Sequence, residues 1–366
     1  MIKLRRYISF ILLVICAVIF IVACDRAAYL KGNPSFNSSE SANTVSSNSE
    51  SCRLVKHAIG KTEVCGQPQK VAVISPRILD SILALGVQPA AVAQNVNSNV
   101  KIFDNPREQI PYTGKRITTE PIGLGSRTTP SLERLQLLQP DLIFGEHWQT
   151  GQYDLMNQIA PTFLFDDRKN PNDFSYWKND ITKIAKALGR EDKVKELLVK
   201  HEARMTQAQK ALQPVLEKYP RIFFVTSNVE MTQTKSGNRT VLARLLEEIG
   251  FEIVHPPGTA GRSTVPLSWE IIPTIESDLM VVAAWDGDLA LNPEESTPQA
   301  SIRKRWAQNP LLSSLPVFQE GRVVFVDYYI SGGPARGPLS DQIILEALPD
   351  LLLPILEESK KVEPDT

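Results

Sequence analysis

The chain has 366 residues and a formal net charge of −1, and 22% of its residues are charged and 7% aromatic. A chain of this length accommodates two domains of ordinary size, at roughly 100–200 residues each. The charge is near neutral and forms no basic stripe, which argues against a nucleic-acid partner.

Residues 1–23 have the pattern of a secretory signal peptide. A basic start precedes the apolar run 8–23, which carries no charge. This run is shorter than the ~20 apolar residues that a membrane-spanning helix usually needs, which favours a cleaved signal. An uncleaved N-terminal anchor is the alternative. Either interpretation places the bulk of the chain outside the cytoplasm.

The signal ends on Ile21-Val22-Ala23-Cys24, which resembles the bacterial lipobox and implies that Cys24 is lipidated. Asp25 resembles the signal that keeps enterobacterial lipoproteins on the inner membrane. Residues 24–51 predict a flexible tether, because a Ser- and Asn-rich segment buries too little apolar surface to offset its ordering entropy. We therefore expect a periplasmic protein that its N-terminal lipid holds at the inner membrane.

Two cysteines remain for the folded body, Cys52 and Cys65, within a predicted hairpin at 52–67. Two short strands around Ile59-Gly60 would bring these cysteines face to face. An oxidising compartment then favours a disulfide. The alternative is a metal-binding pair, for which His57 is the only nearby histidine.

An N-terminal lobe, residues 68–170, alternates strand and helix patterns. Short runs rich in Val, Ile and Ala predict buried strands at 71–74, 90–93 and 141–145. Helical spacing of apolar residues predicts a helix that stops at Gly86 and another that begins at Ser131. This alternation implies a mostly parallel sheet with helices on its faces.

A long helix is predicted within the spine region, residues 171–219. Apolar side chains between 191 and 217 fall on one helical stripe, and Pro220 marks the end. At 1.5 Å per residue the helix would be about 40 Å long. We interpret His201, which lies on the stripe, as a packed residue and not as a ligand.

A C-terminal lobe, residues 220–366, repeats the alternation. Strands are predicted at 221–225, 251–254, 278–282 and 322–327, and helices at 241–249, from Ser268 and from about Leu339. The predicted fold class is therefore α/β, with two lobes of mostly parallel sheet flanked by helices and joined by one long spine helix.

The two lobes share a sequence register. The segment that begins at Ser131 aligns without gaps on the segment that begins at Ser268, and the alignment pairs Glu133 with Glu270. Each serine would cap a helix whose first turn holds the glutamate, where a carboxylate suits the helix dipole. The glutamates either only stabilise these helix starts or place one carboxylate on each lobe.

Three motifs in this order resemble the helical-spine class of ABC-importer binding proteins, which serve ferric siderophores, cobalamin and haem, and in particular the ferric hydroxamate and ferric citrate binders. They are Lys70-Val-Ala-Val-Ile, Gly125-Ser-Arg127-Thr-Thr-Pro-Ser-Leu-Glu133 and Gly321-Arg-Val-Val-Phe-Val-Asp327. The resemblance covers roughly residues 65–355. It implies a ferric siderophore as ligand, no cofactor, and a permease dimer with its ATPase as partner.

The ligand should lie beyond the carboxyl ends of the strands, where open α/β sheets bind ligands. Arg127 is the first candidate, because the resemblance implies that this arginine contacts iron-bound oxygens and a guanidinium suits oxygen-rich anions. The further candidates are cations or aromatic residues near predicted strand ends or in loops: Arg336, Arg262, Trp148, Trp285, Tyr328 and Tyr329.

The resemblance also implies that Glu133, in its Leu-Glu motif, docks on permease arginines. Glu270 follows from the internal alignment, although Trp269 replaces the leucine.

Three other functions are alternatives to a ferric siderophore binder. A haem or cobalamin binder shares the scaffold, and His147 or a tyrosine would then be an axial ligand. A zinc or manganese binder needs converging histidines and carboxylates, and only His147 and His255 would reach a cleft. An enzyme is disfavoured, because Gly123-Leu-Gly125 lacks the third glycine of a dinucleotide fingerprint, and neither a phosphate loop nor a nucleophile elbow is present.

Overall fold

The computed structural model describes residues 51–94, 102–166, 176–236, 240–259, 265–285, 297–328 and 336–358. The predictions for the signal peptide, for Cys24, for most of the tether, and for Arg262 and Tyr329 lie outside these residues. All of the described residues belong to one compact unit. None of the helices in these ranges has the length and apolar character needed to cross a membrane.

An antiparallel hairpin of β1 (Cys52–His57) and β2 (Gly60–Cys65) opens the described chain. Its register places Cys52 opposite Cys65, and the two form a disulfide, so this prediction is confirmed. Both sulfurs are bonded to each other, which removes them as metal ligands. The hairpin is fixed to the N-terminal lobe by the amide of Ala58, which donates to the carbonyl of Leu164 at 2.8 Å.

The N-terminal lobe contains a five-stranded parallel sheet in the order β5-β4-β3-β6-β7. The central strands are buried along their whole length, because helices cover both faces of such a sheet. The strands are β3 (Val71–Val73), β4 (Pro89–Gln94), β5 (Ile122–Ser126), β6 (Leu142–Glu146) and β7 (Thr162–Phe165). The helices are α1 (Pro76–Ala84), α2 (Pro106–Gln109), α3 (Leu132–Leu138) and α4 (Tyr153–Ile159), with 3₁₀ turns at Thr113–Arg116 and His147–Gln152.

The C-terminal lobe contains a six-stranded sheet in the order β11-β9-β8-β12-β13, with β10 also paired to β8. Strands β10, β8, β12 and β13 are parallel, whereas β9 and β11 add an antiparallel edge that the sequence did not predict. The strands are β8 (Arg221–Asn228), β9 (Thr234–Ser236), β10 (Glu252–Val254), β11 (Val265–Pro266), β12 (Leu279–Trp285) and β13 (Val323–Asp327).

The aspartates that the internal alignment pairs occupy equivalent positions in the two sheets. In the first lobe, Asp141 accepts a 2.8 Å hydrogen bond from the amide of Lys70. In the second lobe, the aligned Asp278 accepts a 2.8 Å hydrogen bond from the amide of Arg221. In both lobes, therefore, the aspartate at the start of one central strand anchors the start of its neighbour.

The helix predicted from Ser268 is a 3₁₀ turn, Trp269–Thr274. Pro273 lies inside this segment and has no amide to donate to the carbonyl four residues earlier, which disfavours an α-helix in so short a segment. The aligned helix α3 contains no proline, and its start is capped by the Ser131 hydroxyl, which accepts from the amide of Arg134.

A spine helix connects the lobes and confirms the prediction. It is α6 (Glu191–Lys218), preceded by α5 (Tyr176–Leu188). Its buried side chains are His201, Met205, Ala208, Leu212 and Val215. The helices that follow in the second lobe are α7 (Val241–Ile249), α8 (Pro298–Gln308), α9 (Pro310–Ser313), α10 (Pro316–Gln319), α11 (Pro338–Leu352) and α12 (Ile355–Glu358).

The first lobe caps a helix of the second. The buried carboxylate of Asp80, on α1, accepts hydrogen bonds from the amides of Leu339 (2.8 Å) and Ser340 (2.7 Å) at the start of α11. Burial raises the pKa of Asp80 to about 6. Gly337 is required here, because a Cβ atom at this position would lie 2.4 Å from Oδ1 of Asp80.

Candidate functional site

The candidate ligand cleft is the region beyond the carboxyl ends of the parallel strands of both lobes. In the first lobe, β5 ends at Ser126 and β6 ends at Glu146. In the second lobe, β12 ends at Trp285 and β13 at Asp327, and both strands run parallel to β8 in the same sheet. The sequence candidates Arg127, Trp148, Trp285 and Tyr328 therefore all lie at or just after these strand ends.

Arg127 is held in place by its backbone. Its amide donates to the carbonyl of Gln94 at 2.9 Å, and its own carbonyl accepts from the side chain of Gln149. Gln149 is fully buried and its Oε1 accepts from the amide of Glu146 at 2.7 Å. The loop after β5 is thus fastened to the neighbouring strands, which fixes the origin of the Arg127 side chain.

The guanidinium of Arg127 belongs to a chain of ion pairs. Its Nη1 donates to Oε2 of Glu146 at 3.0 Å, and the side chain is 19% exposed. The other oxygen of Glu146 accepts from Nε of Arg77 at 3.1 Å, and Nη1 of Arg77 contacts Asp180 at 2.5 Å. Burial alone would lower the pKa of Arg77, but the carboxylates of Glu146 and Asp180 raise it above its ordinary value.

Trp148 presents its indole beside this arginine. The side chain is 53% exposed although it is large and apolar, and its ring lies 5.5 Å from the guanidinium carbon of Arg127. The ring of His147 packs on it with a centroid separation of 4.2 Å. An exposed indole beside a guanidinium is suited to an organic ligand that carries oxygen atoms.

His147 is turned away from solvent. Its Nδ1 lies 3.7 Å from Oδ1 of Asp166, and its side chain is 7% exposed. This placement gives no specific support to an axial-ligand role.

The second lobe contributes an aromatic pair. The rings of Trp285 and Tyr328 lie 5.1 Å apart, at the ends of β12 and β13. Burial raises the pKa of Tyr328 above its ordinary value. This pair forms an apolar surface at the strand ends, as a wall for an organic ligand requires.

Tyr112 is a cleft residue that the sequence did not suggest. Its hydroxyl donates a 2.7 Å hydrogen bond to Oδ2 of Asp327, which joins the first lobe to the second. Tyr112 has a φ of 59°, a conformation that costs a non-glycine residue about 1–3 kcal/mol and often occurs at functional sites. The partner is far away in sequence, so local patterns carried no signal for this contact.

Arg336 is not on the cleft surface. Its side chain is 1% exposed, and its guanidinium binds both oxygens of Glu248 and the carboxylate of Asp341. Burial alone would lower the pKa of Arg336, but Asp341 and Glu248 raise it. Because Arg336 is itself buried and its donors serve Glu248 and the buried Asp341, we correct the sequence-based assignment and leave Arg336 out of the proposed ligand contacts.

A family comparison decides the class of protein. The family model of the periplasmic binding proteins matches residues 71–329. The chain belongs to this family. The resemblance predicted from the three sequence motifs is thereby confirmed.

Relatives of this periplasmic binding protein cover most of its length. It is 26% identical over 293 residues to the Fe(3+)-citrate-binding protein YfmC of Bacillus subtilis, covering 79% of this chain and 84% of the relative. It is 24% identical over 333 residues to the probable siderophore-binding lipoprotein YfiY of the same organism, covering 88% and 91%. The crystal structure of Staphylococcus aureus SirA complexed with staphyloferrin B has the same fold, with a TM-score of 0.62, 22% identity and coverage of 82% and 98%.

The two glutamates of this periplasmic binding protein that the sequence paired are both exposed. Glu133 lies in the first turn of α3, and Glu270 lies in the 3₁₀ turn that follows Ser268. The backbone amide of Glu270 and the hydroxyl of Ser268 lower the pKa of the Glu270 carboxyl. Both carboxylates are therefore accessible to a partner protein.

None of the described histidines belongs to a group of three metal-binding side chains. Among the described residues, the only three metal-binding side chains within reach of one another are Cys52, Glu63 and Cys65, of which two form the disulfide. The prediction for His201 is confirmed: it is buried on the spine, and its Nε2 lies 2.9 Å from Oδ2 of Asp341.

Proposed function

We propose that this protein is the extracytoplasmic solute-binding lipoprotein of an ABC importer, and that it binds a ferric siderophore between its lobes and delivers it to a permease dimer. The observation that carries this proposal is the position of Arg127. The backbone amide of Arg127 is held by a hydrogen bond, and its guanidinium lies at the strand ends beside the exposed indole of Trp148.

The chemistry of a ferric siderophore fits these residues. The iron is surrounded by oxygen atoms, to which a guanidinium donates charge-assisted hydrogen bonds. The organic part of the ligand has apolar surface, which Trp148, Trp285 and Tyr328 would cover. Nη1 of Arg127 donates to Glu146 and its Nε is buried, which leaves Nη2 as the donor for a ligand.

The relatives support a ferric ligand and a lipid anchor. YfmC is named for binding Fe(3+)-citrate, and SirA was solved with staphyloferrin B. YfiY is named a lipoprotein, which agrees with lipidation at Cys24. We further propose that Glu133 and Glu270 contact the permease, because each lobe presents one of these carboxylates at its surface.

Fluorescence titration of the purified mature protein tests the ligand. The indoles of Trp148 and Trp285 lie at the proposed cleft, so bound ferric chelates should quench the emission. We expect saturable quenching by a ferric siderophore from a panel of ferric hydroxamates, ferric citrate, haem and cobalamin. Saturation by haem or cobalamin alone would replace the siderophore with that ligand, and turnover of any ligand would indicate an enzyme.

A further inference from the structure

The carboxylate of Glu146 lies beside the proposed ligand contact of Arg127, and the ligand-binding role itself does not require it. We infer that Glu146 is a specificity-determining residue, which selects ferric chelates of low negative charge over highly anionic ones. This inference rests on the proposed function. The observation behind it is the 3.0 Å ion pair between Oε2 of Glu146 and Nη1 of Arg127.

Glu146 is fixed in this position. It is the last residue of β6 and is buried, and its second oxygen accepts from Nε of Arg77 at 3.1 Å. Arg77 is itself buried and held by Asp180. A ligand that approaches Arg127 therefore cannot displace the carboxylate without breaking a buried ion pair, which is strongly unfavourable.

Glu146 is the carboxylate that opposes the charge of Arg127. The buried part of the cluster holds two positive charges, on Arg77 and Arg127, and two negative charges, on Glu146 and Asp180, while the half-exposed Lys183 adds a positive charge at the far end, 3.3 Å from Asp180. Arg127 therefore offers hydrogen-bond donors to the ligand, whereas its own charge is offset by Glu146 at 3.0 Å. Such a site suits an oxygen-rich ligand with little net charge of its own.

Ferric chelates differ widely in charge. Three hydroxamates carry one negative charge each and neutralise Fe³⁺, whereas three catecholates carry two each and give a complex of charge −3. Repulsion from Glu146 scales with the ligand charge, so it opposes the tricatecholate and leaves the trihydroxamate unaffected. For a charge of −3 at about 8 Å, even the screening of bulk water leaves an effect on the order of tenfold in affinity.

The test measures the dissociation constants of a neutral ferric trihydroxamate and a ferric tricatecholate at low ionic strength. In Glu146→Gln we expect binding of the tricatecholate to become roughly tenfold stronger relative to binding of the trihydroxamate. The shift should shrink as salt is added, because salt screens the repulsion. Glu146→Asp keeps the charge and should keep the parent preference, so it tests the inference even if the glutamine variant does not fold.

Asp180→Asn is the matched control. It removes the same charge from the same cluster, but Asp180 contacts Arg77 and Lys183, with no described contact to Arg127. Its shift in the ratio should be clearly smaller. Three outcomes would each overturn the inference while the siderophore function stands. They are an unchanged ratio in Glu146→Gln, an equal shift in Asp180→Asn, and a lost preference in Glu146→Asp. A parent protein that binds neither chelate would overturn this inference, and the proposed function would fall with it only if ferric citrate also failed to bind.

Discussion

The hydroxyl of Tyr112 donates a hydrogen bond to the carboxylate of Asp327, 215 residues further along the chain. The two residues belong to different lobes, so this hydrogen bond links the lobes directly. Asp327 immediately precedes Tyr328, whose ring packs against that of Trp285. Burial and the Asp327 carboxylate raise the pKa of Tyr112, so its phenol remains a donor at alkaline pH where a free tyrosine would ionise.

A double-mutant cycle of Tyr112→Phe and Asp327→Ala measures this bond. A hydrogen bond to a charged group contributes about 1.5–3 kcal/mol, so we expect a coupling of that size in the free energy of unfolding. Urea denaturation of the parent, the two single variants and the double variant provides the measurement. Additive effects of the two substitutions would show that the bond contributes nothing to stability.

Arg127→Ala should weaken binding of the ferric ligand by about 1.5–3 kcal/mol, because a charge-assisted hydrogen bond is lost. Fluorescence titration gives the affinity, and a thermal melt shows whether the fold is intact. Arg204→Ala is the control, since Arg204 lies on the spine helix and pairs with Glu346 on α11. Equal affinity of the Arg127 variant and the parent would exclude Arg127 from the site.

Changing both Glu133 and Glu270 to alanine should reduce uptake in cells and leave ligand affinity unchanged, because exposed charges mainly guide encounter with a partner. If these glutamates only stabilise helix starts, uptake stays normal and each site loses roughly 0.3–1 kcal/mol of stability. Glu191→Ala controls for the helix effect, because Glu191 occupies the first turn of the spine helix. A transport assay beside a thermal melt separates the two roles.

Asp80 should make stability depend on pH. The folded protein holds the Asp80 proton more tightly than the unfolded chain, since burial raises its pKa from 3.8 to about 6. The corresponding stability is present below 3.8, declines as pH rises, and is gone above about pH 6. Relative to Asp80→Asn, the parent should therefore lose about 2 kcal/mol between pH 4 and pH 7, measured by urea unfolding. A constant difference between the two proteins over this range would contradict the assignment.

Local sequence patterns predicted many of the helices and strands, because the residues that start and end these elements lie next to them in the sequence. The helix at Val241–Ile249 has its predicted bounds, since the Thr240 hydroxyl caps its start and Gly250 ends it. The helix predicted from Ser268 is present as a short 3₁₀ helix, and Pro273, which is visible in the sequence, removes a donor that an α-helix would use.

The contacts of the site were harder to predict, because they join residues that are distant in sequence. Arg336 follows a segment rich in glycine and proline, which suggests an exposed loop. Its guanidinium nevertheless donates hydrogen bonds to Glu248, 88 residues away. Glu146 lies just after the strand predicted at 141–145 and was not a candidate, and only its contacts with Arg77 and Arg127 give it a role.

The disulfide also determines how the body would bear mechanical load. Cys52 and Cys65 form the cross-link at the open end of the hairpin. A pull on the chain before Cys52 passes directly across the sulfur bridge to Cys65 and on to β3. The hairpin pairs are therefore not peeled apart one after another, as they would be in the reduced protein. The hairpin can remain seated on the first lobe while the chain ahead of it is under tension.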